Sequence, residues 1–205
     1  MNTTLAGSCN LLQVMEDWAI NSAECIGGLG TVVEIDESKF GRRKYNKGHR
    51  VEGQWVFGGV ERGSGKIFLV PVEVRNAETL VGIIKQWIKP GTTIMSDCWK
   101  AYDHLGEEGY QHLKVNHSVE FVDSTTGAHT NTIESTWRHA KRFMPHYNRR
   151  KANYPGYLAH YMFLKWCKTN DVDPCKKFLD EVGSINFDAS LTFEEEEDEE
   201  PSEED

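Results

Sequence analysis

Six residues, Glu61-Arg-Gly-Ser-Gly-Lys66, separate the apolar runs Gln54 to Val60 and Ile67 to Val74. Both runs are rich in β-branched and aromatic residues, and a connection this short joins neighbouring strands only as an antiparallel hairpin. An earlier strand, Thr31-Val-Val-Glu-Ile-Asp36, follows the flexible Gly27-Gly28-Leu29-Gly30. Three strands therefore open the fold before any long helix can cross between them.

The pattern then changes period. Asn76 is placed to cap a helix whose Leu80, Ile83, Ile84, Trp87 and Ile88 recur at helical spacing. Pro90-Gly91 stops it, and Thr92 to Ser96 is a short buried strand ending at Asp97. Cys98 to Leu105 reads as helical and Gln111 to Asn116 as a strand. Phe121 to Thr130 is polar and turn-rich. A long helix is expected over Thr132 to Met144, with Ile133, Trp137, Ala140 and Met144 on one face. Further helices fit Tyr157 to Lys168 and Pro174 to Val182. The order β-β-β-α-β-α-β-α implies an α/β fold: a mixed sheet with flanking helices. The ribonuclease H-like fold has this order. Residues 8–26 carry a weaker helical pattern, so 1–30 reads as a short helical extension, 31–183 as the main domain and 184–205 as a tail.

The net charge of −9 conceals the character of the folded part. Eleven acids and no base lie between Asp188 and Asp205, which leaves residues 1–187 at +2. A segment of such like charge and so few apolar residues buries too little surface to offset its ordering entropy, so disorder is expected. Two basic stretches stand out: Lys39, Arg42, Arg43, Lys44, Lys47 and Arg50, then Arg138, Lys141, Arg142, Arg149, Arg150 and Lys151. Such clusters attract a polyanion or are simply solvated faces. No run of about 18 apolar residues exists, so no membrane span is expected. The five cysteines are scattered without a CxxC pair. That argues against a zinc site of that spacing and for reduced thiols in an intracellular protein.

Three acids sit where chemistry is possible. Alternation sends Asp36 to the face opposite Val33 and Ile35. Asp97 ends its strand, and Glu134 opens the long helix. If the first and fourth strands are neighbours, Asp36 and Asp97 stand side by side and a helix across that edge brings Glu134 to them. Converging carboxylates raise one another's pKa until a cation neutralises them. Hard ions such as Mg²⁺ suit oxygen ligands, and two ions about 4 Å apart serve phosphodiester chemistry. Each acid also has a plainer role. Asp36 can be a solvated strand-end acid, and Asp97 a helix cap. Glu134 can close a capping box with Asn131.

Four stretches carry a resemblance. Val33-Glu-Ile-Asp-Glu-Ser-Lys-Phe-Gly41, Glu52-Gly-Gln-Trp-Val-Phe-Gly-Gly59, Ile94-Met-Ser-Asp-Cys-Trp-Lys-Ala-Tyr102 and His129-Thr-Asn-Thr-Ile-Glu-Ser-Thr-Trp137 resemble the DDE domain of Merlin-type transposases and their bacterial insertion-sequence relatives. The similarity runs from about Gly27 to Cys167. It implies that Asp36, Asp97 and Glu134 are the catalytic and metal-ligating acids. It also implies Mg²⁺ or Mn²⁺, two ions in all, and cleavage and joining of DNA at transposon ends. Thirty-six residues separate Asp97 from Glu134, a spacing similar to the family's. The implied partners are terminal-repeat and target DNA, with a homodimer to hold two ends, and a nuclear location if the host is eukaryotic.

On this reading Lys39, Arg42, Arg43, Lys44, Lys100, Asn131, Arg138, Lys141 and Arg142 are candidate DNA contacts. Trp99 stacks on an unpaired base or packs in the core. His117, His129 and His139 touch phosphate or serve structure, and Cys98 is expected in the core. Family members usually carry an N-terminal zinc ribbon or helix-turn-helix, whereas residues 1–30 show no zinc-ligand pattern. A transposon-derived, catalytically silent DNA-binding protein is the alternative. A ribonuclease H-like nuclease acting on RNA–DNA hybrid is a third reading.

Overall fold

The computed structural model describes residues 11–22, 24–41, 53–115, 129–145 and 150–184. Five strands form one sheet: β1 (Val32–Phe40), β2 (Gln54–Glu61), β3 (Ile67–Val72), β4 (Thr93–Asp97) and β5 (Gln111–Val115). Their order is β3-β2-β1-β4-β5. β1, β2 and β3 pair antiparallel, whereas β4 runs parallel to β1 and β5 parallel to β4. This is the ribonuclease H-like arrangement expected from the strand and helix order, with the first and fourth strands adjacent.

The helices are α1 (Leu11–Asn21), α2 (Ala77–Trp87), α3 (Asn131–Phe143), α4 (Tyr154–Thr169) and α5 (Pro174–Ser184). Asn76 caps α2 as its sequence suggests, accepting the Thr79 N–H at 2.8 Å. No helix of the described residues is long and apolar enough to cross a membrane. Residues 185–205, which hold the expected acidic tail, lie outside the described residues.

Both sheet faces are covered. On one side Val33, Ile35, Phe57, Phe68 and Ile94 pack with Leu80, Ile84 and Ile88 beneath α2. On the other, Val56, Val60 and Leu69 pack with Ile133, Trp137, Leu158, Met162 and Phe163 from α3 and α4. α1 joins this second core through Val14, Met15 and Trp18, the last meeting Phe163 edge-on with centroids 5.1 Å apart. Each such buried side chain contributes roughly 2 kcal/mol. β1 is central to both layers because its alternation gives Val33 and Ile35 to the α2 side and the intervening residues to α3.

The segment after β4 differs from the expected helix. Only Lys100–Tyr102 forms a single 3₁₀ turn, and hydrogen-bonded turns follow to Gly109. Tyr102 and Leu105 are both buried at this short spacing, and Gly109 adopts φ 86°, which favours glycine and ends the run before β5.

Candidate active site

Glu34, Asp36 and Ser38 share one face of β1, and α3 lies along that face in the same direction. Glu34 accepts the backbone N–H groups of Thr132 at 2.8 Å and Ile133 at 3.0 Å. Asp36 accepts the indole N–H of Trp137 at 2.9 Å. The Lys141 ammonium donates to Ser38 Oγ at 2.6 Å. The ladder repeats every two residues on the strand and about every four on the helix. Those intervals are roughly 6.6 Å and 6 Å long, so the two elements stay matched.

Glu34 is the functional residue that motif reading missed. It is fully buried. Beyond the two backbone bonds, it accepts Thr132 Oγ1 at 2.8 Å and Arg62 Nε at 2.6 Å. Arg62 also donates to the His129 carbonyl at 2.8 Å. The N–H groups taken from α3 are those of its second and third residues, the pair a helix N-cap normally satisfies. Thr130, the residue in the cap position, makes no side-chain cap bond. The expected capping box between Asn131 and Glu134 is therefore not what starts this helix. Asn131 is itself the first helical residue, and a carboxylate nearly a hundred residues earlier supplies the cap. The signal in the sequence was an acid between Val33 and Ile35, two residues from Asp36 and so on its face.

Asp36 is largely buried. Burial pushes its carboxyl up to about 6, against the Trp137 and backbone hydrogen bonds that favour the charged form, and the charges of Asp97 and Glu134 push the same way. Those two like charges place all three acids in one electrostatic neighbourhood. The β1–β4 ladder ends at Glu34 opposite Met95, and β4 stops at Asp97 while β1 runs on to Phe40, so the two strands part beside Asp36 and Asp97. Ligands of α/β sheets commonly bind in such openings. Asp97 accepts the Trp99 N–H at 3.1 Å, so its capping role is present as well. Glu134 is exposed in the first turn of α3.

Among the described residues no three His, Cys, Asp or Glu side chains close into a metal cage. The donor chemistry nonetheless fits a hard cation: three carboxylates, one of them raised to about 6 by burial and like charge. Mg²⁺ is usually bound by one or two carboxylates and completed by water and substrate phosphate rather than by an all-protein cage.

The opposite face of β1 carries a second acid absent from the sequence reading. The Glu37 side chain is 5% exposed and faces Arg75 Nη1 at 3.8 Å. Burial raises it to about 8, with Asp36 and Asp97 adding and Arg75 opposing. Lys39 continues this face, its ammonium 5.8 Å from the Trp55 ring centroid. It therefore lies across the sheet from Lys141, not beside it. Arg42, Arg43, Lys44, Lys47, Arg50, Arg149 and His117 fall outside the described residues. Lys100 lies in the 3₁₀ turn after Asp97. Arg138, Lys141 and Arg142 are exposed on α3. His139 Nδ1 lies 2.8 Å from the Ser135 carbonyl, and His129 Nδ1 3.5 Å from Glu34. Trp99 is half-buried, edge-on to Tyr102 at 5.7 Å. Cys98 is exposed, contrary to expectation, because the turn replaces the helix that would have carried it inward.

Gly58, paired with Asp36 across β1–β2, leaves room for Trp137. A Cβ here would meet Trp137 Cη2 and Leu69 Cδ2, each at 2.7 Å. Gly58→Ala is expected to cost about 1–3 kcal/mol by overpacking and to shift the indole from Asp36. Urea unfolding and the near-ultraviolet tryptophan signal would check this, and an unchanged midpoint would refute it.

Comparison with known proteins bears on this geometry. Residues 26–163 match the family model described as the ISXO2-like transposase domain. An uncharacterized transposase-like protein of Haemophilus influenzae is 31% identical over 83 residues, covering 40% of this chain and 66% of that protein. Among solved structures, the catalytic core domain of BIV integrase aligns at TM-score 0.43 and 12% identity over 74% of this chain and 95% of that one. The HTLV-2 integrase catalytic core in complex with magnesium aligns at TM-score 0.37 and 12% identity, over 76% and 86%.

Proposed function

Because the chain belongs to the ISXO2-like transposase domain family, a group of polynucleotidyl transferase type, we propose that Asp36, Asp97 and Glu134 are its catalytic acids. The reaction is divalent-metal-dependent cleavage of DNA at transposon ends, followed by transfer of the freed 3′-hydroxyl to target DNA. The observation that carries this reading is geometric: β4, ending at Asp97, lies parallel beside β1, and α3, which bears Glu134, runs along the face of β1 that carries Asp36.

Asp36, within β1, and Asp97, at the end of the neighbouring β4, would hold a Mg²⁺ or Mn²⁺ ion between them, and Glu134 would complete a second position. When bound, such ions activate the attacking oxygen and stabilise the leaving one. The protein's own part is placement. The indole of Trp137 fixes the Asp36 carboxylate, Glu34 fixes the helix that bears Glu134, and the Trp99 amide fixes Asp97. Arg138, Lys141 and Arg142 face solvent along the same helix, where they grip phosphates without reading sequence. Lys39, Arg42, Arg43, Lys44, Trp99, Lys100 and Asn131 are further proposed DNA contacts. Joining two ends calls for two copies of the chain held together. In a eukaryotic host this chemistry belongs in the nucleus.

The test is cleavage of duplex DNA carrying the terminal repeats, with Mg²⁺ or Mn²⁺. Wild type is expected to nick the ends, and Asp97→Ala to lose at least about 10³-fold in rate, the scale of deleting charge stabilisation at a reacting phosphate. Equal absence of nicking by both proteins would remove the catalytic claim and leave the silent DNA-binding reading.

A further inference from the structure

Arg75 lies on the connection between β3 and α2, one residue before the Asn76 cap. Its guanidinium carbon is 4.3 Å from the Trp55 ring centroid and 4.9 Å from that of Trp99. Both indoles pack against the core on the α2 side. Contact with aromatic rings fixes a guanidinium through its charge and plane, without using its N–H donors. Those donors remain available. Glu37 stands at 3.8 Å, longer than a hydrogen bond, and among the described residues the guanidinium makes none. The side chain is 39% exposed. An arginine anchored by two rings and partly open to solvent is a preorganised receptor for a phosphate.

Its position gives the receptor a use. Trp99 donates its amide to Asp97, and Glu37 follows Asp36 in β1. Arg75 thus touches the sequence neighbours of Asp36 and Asp97 from the α2 side of the sheet, while α3 carries Arg138, Lys141 and Arg142 on the other side. Lys39 adds a second exposed cation beside Trp55.

We propose that Arg75 is a DNA-binding residue that takes a backbone phosphate of the strand lying across Asp97, with Trp55 and Trp99 holding its guanidinium in place. A strand passing over the acids is then gripped from both faces of the sheet. This rests on the transposase reading, because it assumes a DNA substrate at those acids.

The experiment measures binding of the whole chain to a labelled duplex oligonucleotide by fluorescence anisotropy, in EDTA, across a salt series. Arg75→Ala is expected to weaken binding about fivefold at low salt and to reduce the slope of log affinity against log salt by about 0.9, one phosphate contact. Arg75→Lys keeps the charge and therefore the slope, and still loses affinity because an ammonium lacks the planar fork. It also decides the question if Arg75→Ala does not fold. Wild-type affinity and slope in both variants, while Arg138→Ala/Arg142→Ala lowers both, would overturn the proposal and leave Arg75 as a partner of Glu37 alone. If the α3 variant is also without effect and wild-type binding ignores salt, the DNA reading itself falls.

Discussion

Asp36→Asn is expected to abolish strand cleavage and, in the same protein, to raise the melting temperature of the metal-free fold. The loss of cleavage follows from removing a charged metal ligand. The gain in stability follows from where the charge sits. Burial and the charges of Asp97 and Glu134 raise the Asp36 carboxyl from 3.8 to about 6, so the folded chain binds that proton more tightly than the unfolded chain does. Stability therefore falls as pH rises wherever the folded state holds more protons. For Asp36 the fall begins near its unfolded value and is complete above about 6. The penalty at neutral pH is on the order of 2–3 kcal/mol. Glu37, raised from 4.5 to about 8, extends the same trend through neutral pH to about 8.

Asparagine carries no charge to desolvate, and its amide oxygen still accepts the Trp137 N–H. Thermal melts in EDTA from pH 4.5 to 8 should show wild type losing stability across the window and the variant losing less. The separation expected at pH 7 is about 5 °C or more. Mg²⁺ should raise the wild-type midpoint at pH 7 by binding the folded state and should leave the variant unmoved. The metal effect should fade below pH about 6, where the proton competes for the carboxylate. A variant that melts below wild type at pH 7 in EDTA would show that Asp36 is not under electrostatic strain.

Glu34→Ala should give the largest loss of stability among the site residues, about 3–5 kcal/mol in urea unfolding. The substitution leaves Arg62 without its carboxylate and strands two amide N–H groups at the start of α3. Glu34→Gln should fall between, because one amide oxygen still accepts while the charge and the second acceptor are lost. A loss under about 1 kcal/mol for the alanine variant would mean that α3 docks on its apolar face alone. The same bonds set where Glu134 stands. Cleavage by Glu34→Gln, measured well below its melting temperature, should therefore fall by more than the unfolded fraction explains. Unchanged cleavage in a fully folded variant would separate Glu34 from the positioning of Glu134.

Much of the site was legible because its logic is local. A six-residue connection dictates the hairpin, and alternation puts Asp36 opposite Val33 and Ile35. Helical spacing turns Ile133, Trp137, Ala140 and Met144 inward. The motif Asn131-Thr-Ile-Glu-Ser-Thr-Trp137 acquires physical content in the fold. Thr132 binds Glu34 and Trp137 binds Asp36, and Glu134 projects from the turn between them.

Apart from the turn that replaces the helix expected after Asp97, the readings that failed or were missing mostly involve distance along the chain. The Asn131–Glu134 box has the right spacing but loses to Glu34, a stronger and fully buried acceptor. Lys39, read as the start of the first basic stretch, is the penultimate residue of β1, and alternation turns it to the face opposite Asp36 and α3.

The sequence by itself determined most of the elements that form and which face of each is apolar, because period and turn length are properties of neighbouring residues; the three acids were singled out by the motif resemblance. Only the tertiary structure decided what holds those acids. Glu34 meets Thr132 and Asp36 meets Trp137 across about a hundred residues of chain. Arg75 meets Trp55 and Trp99 from two different strand ends. Such contacts leave no periodic trace, since they form only once the sheet order has brought remote segments together.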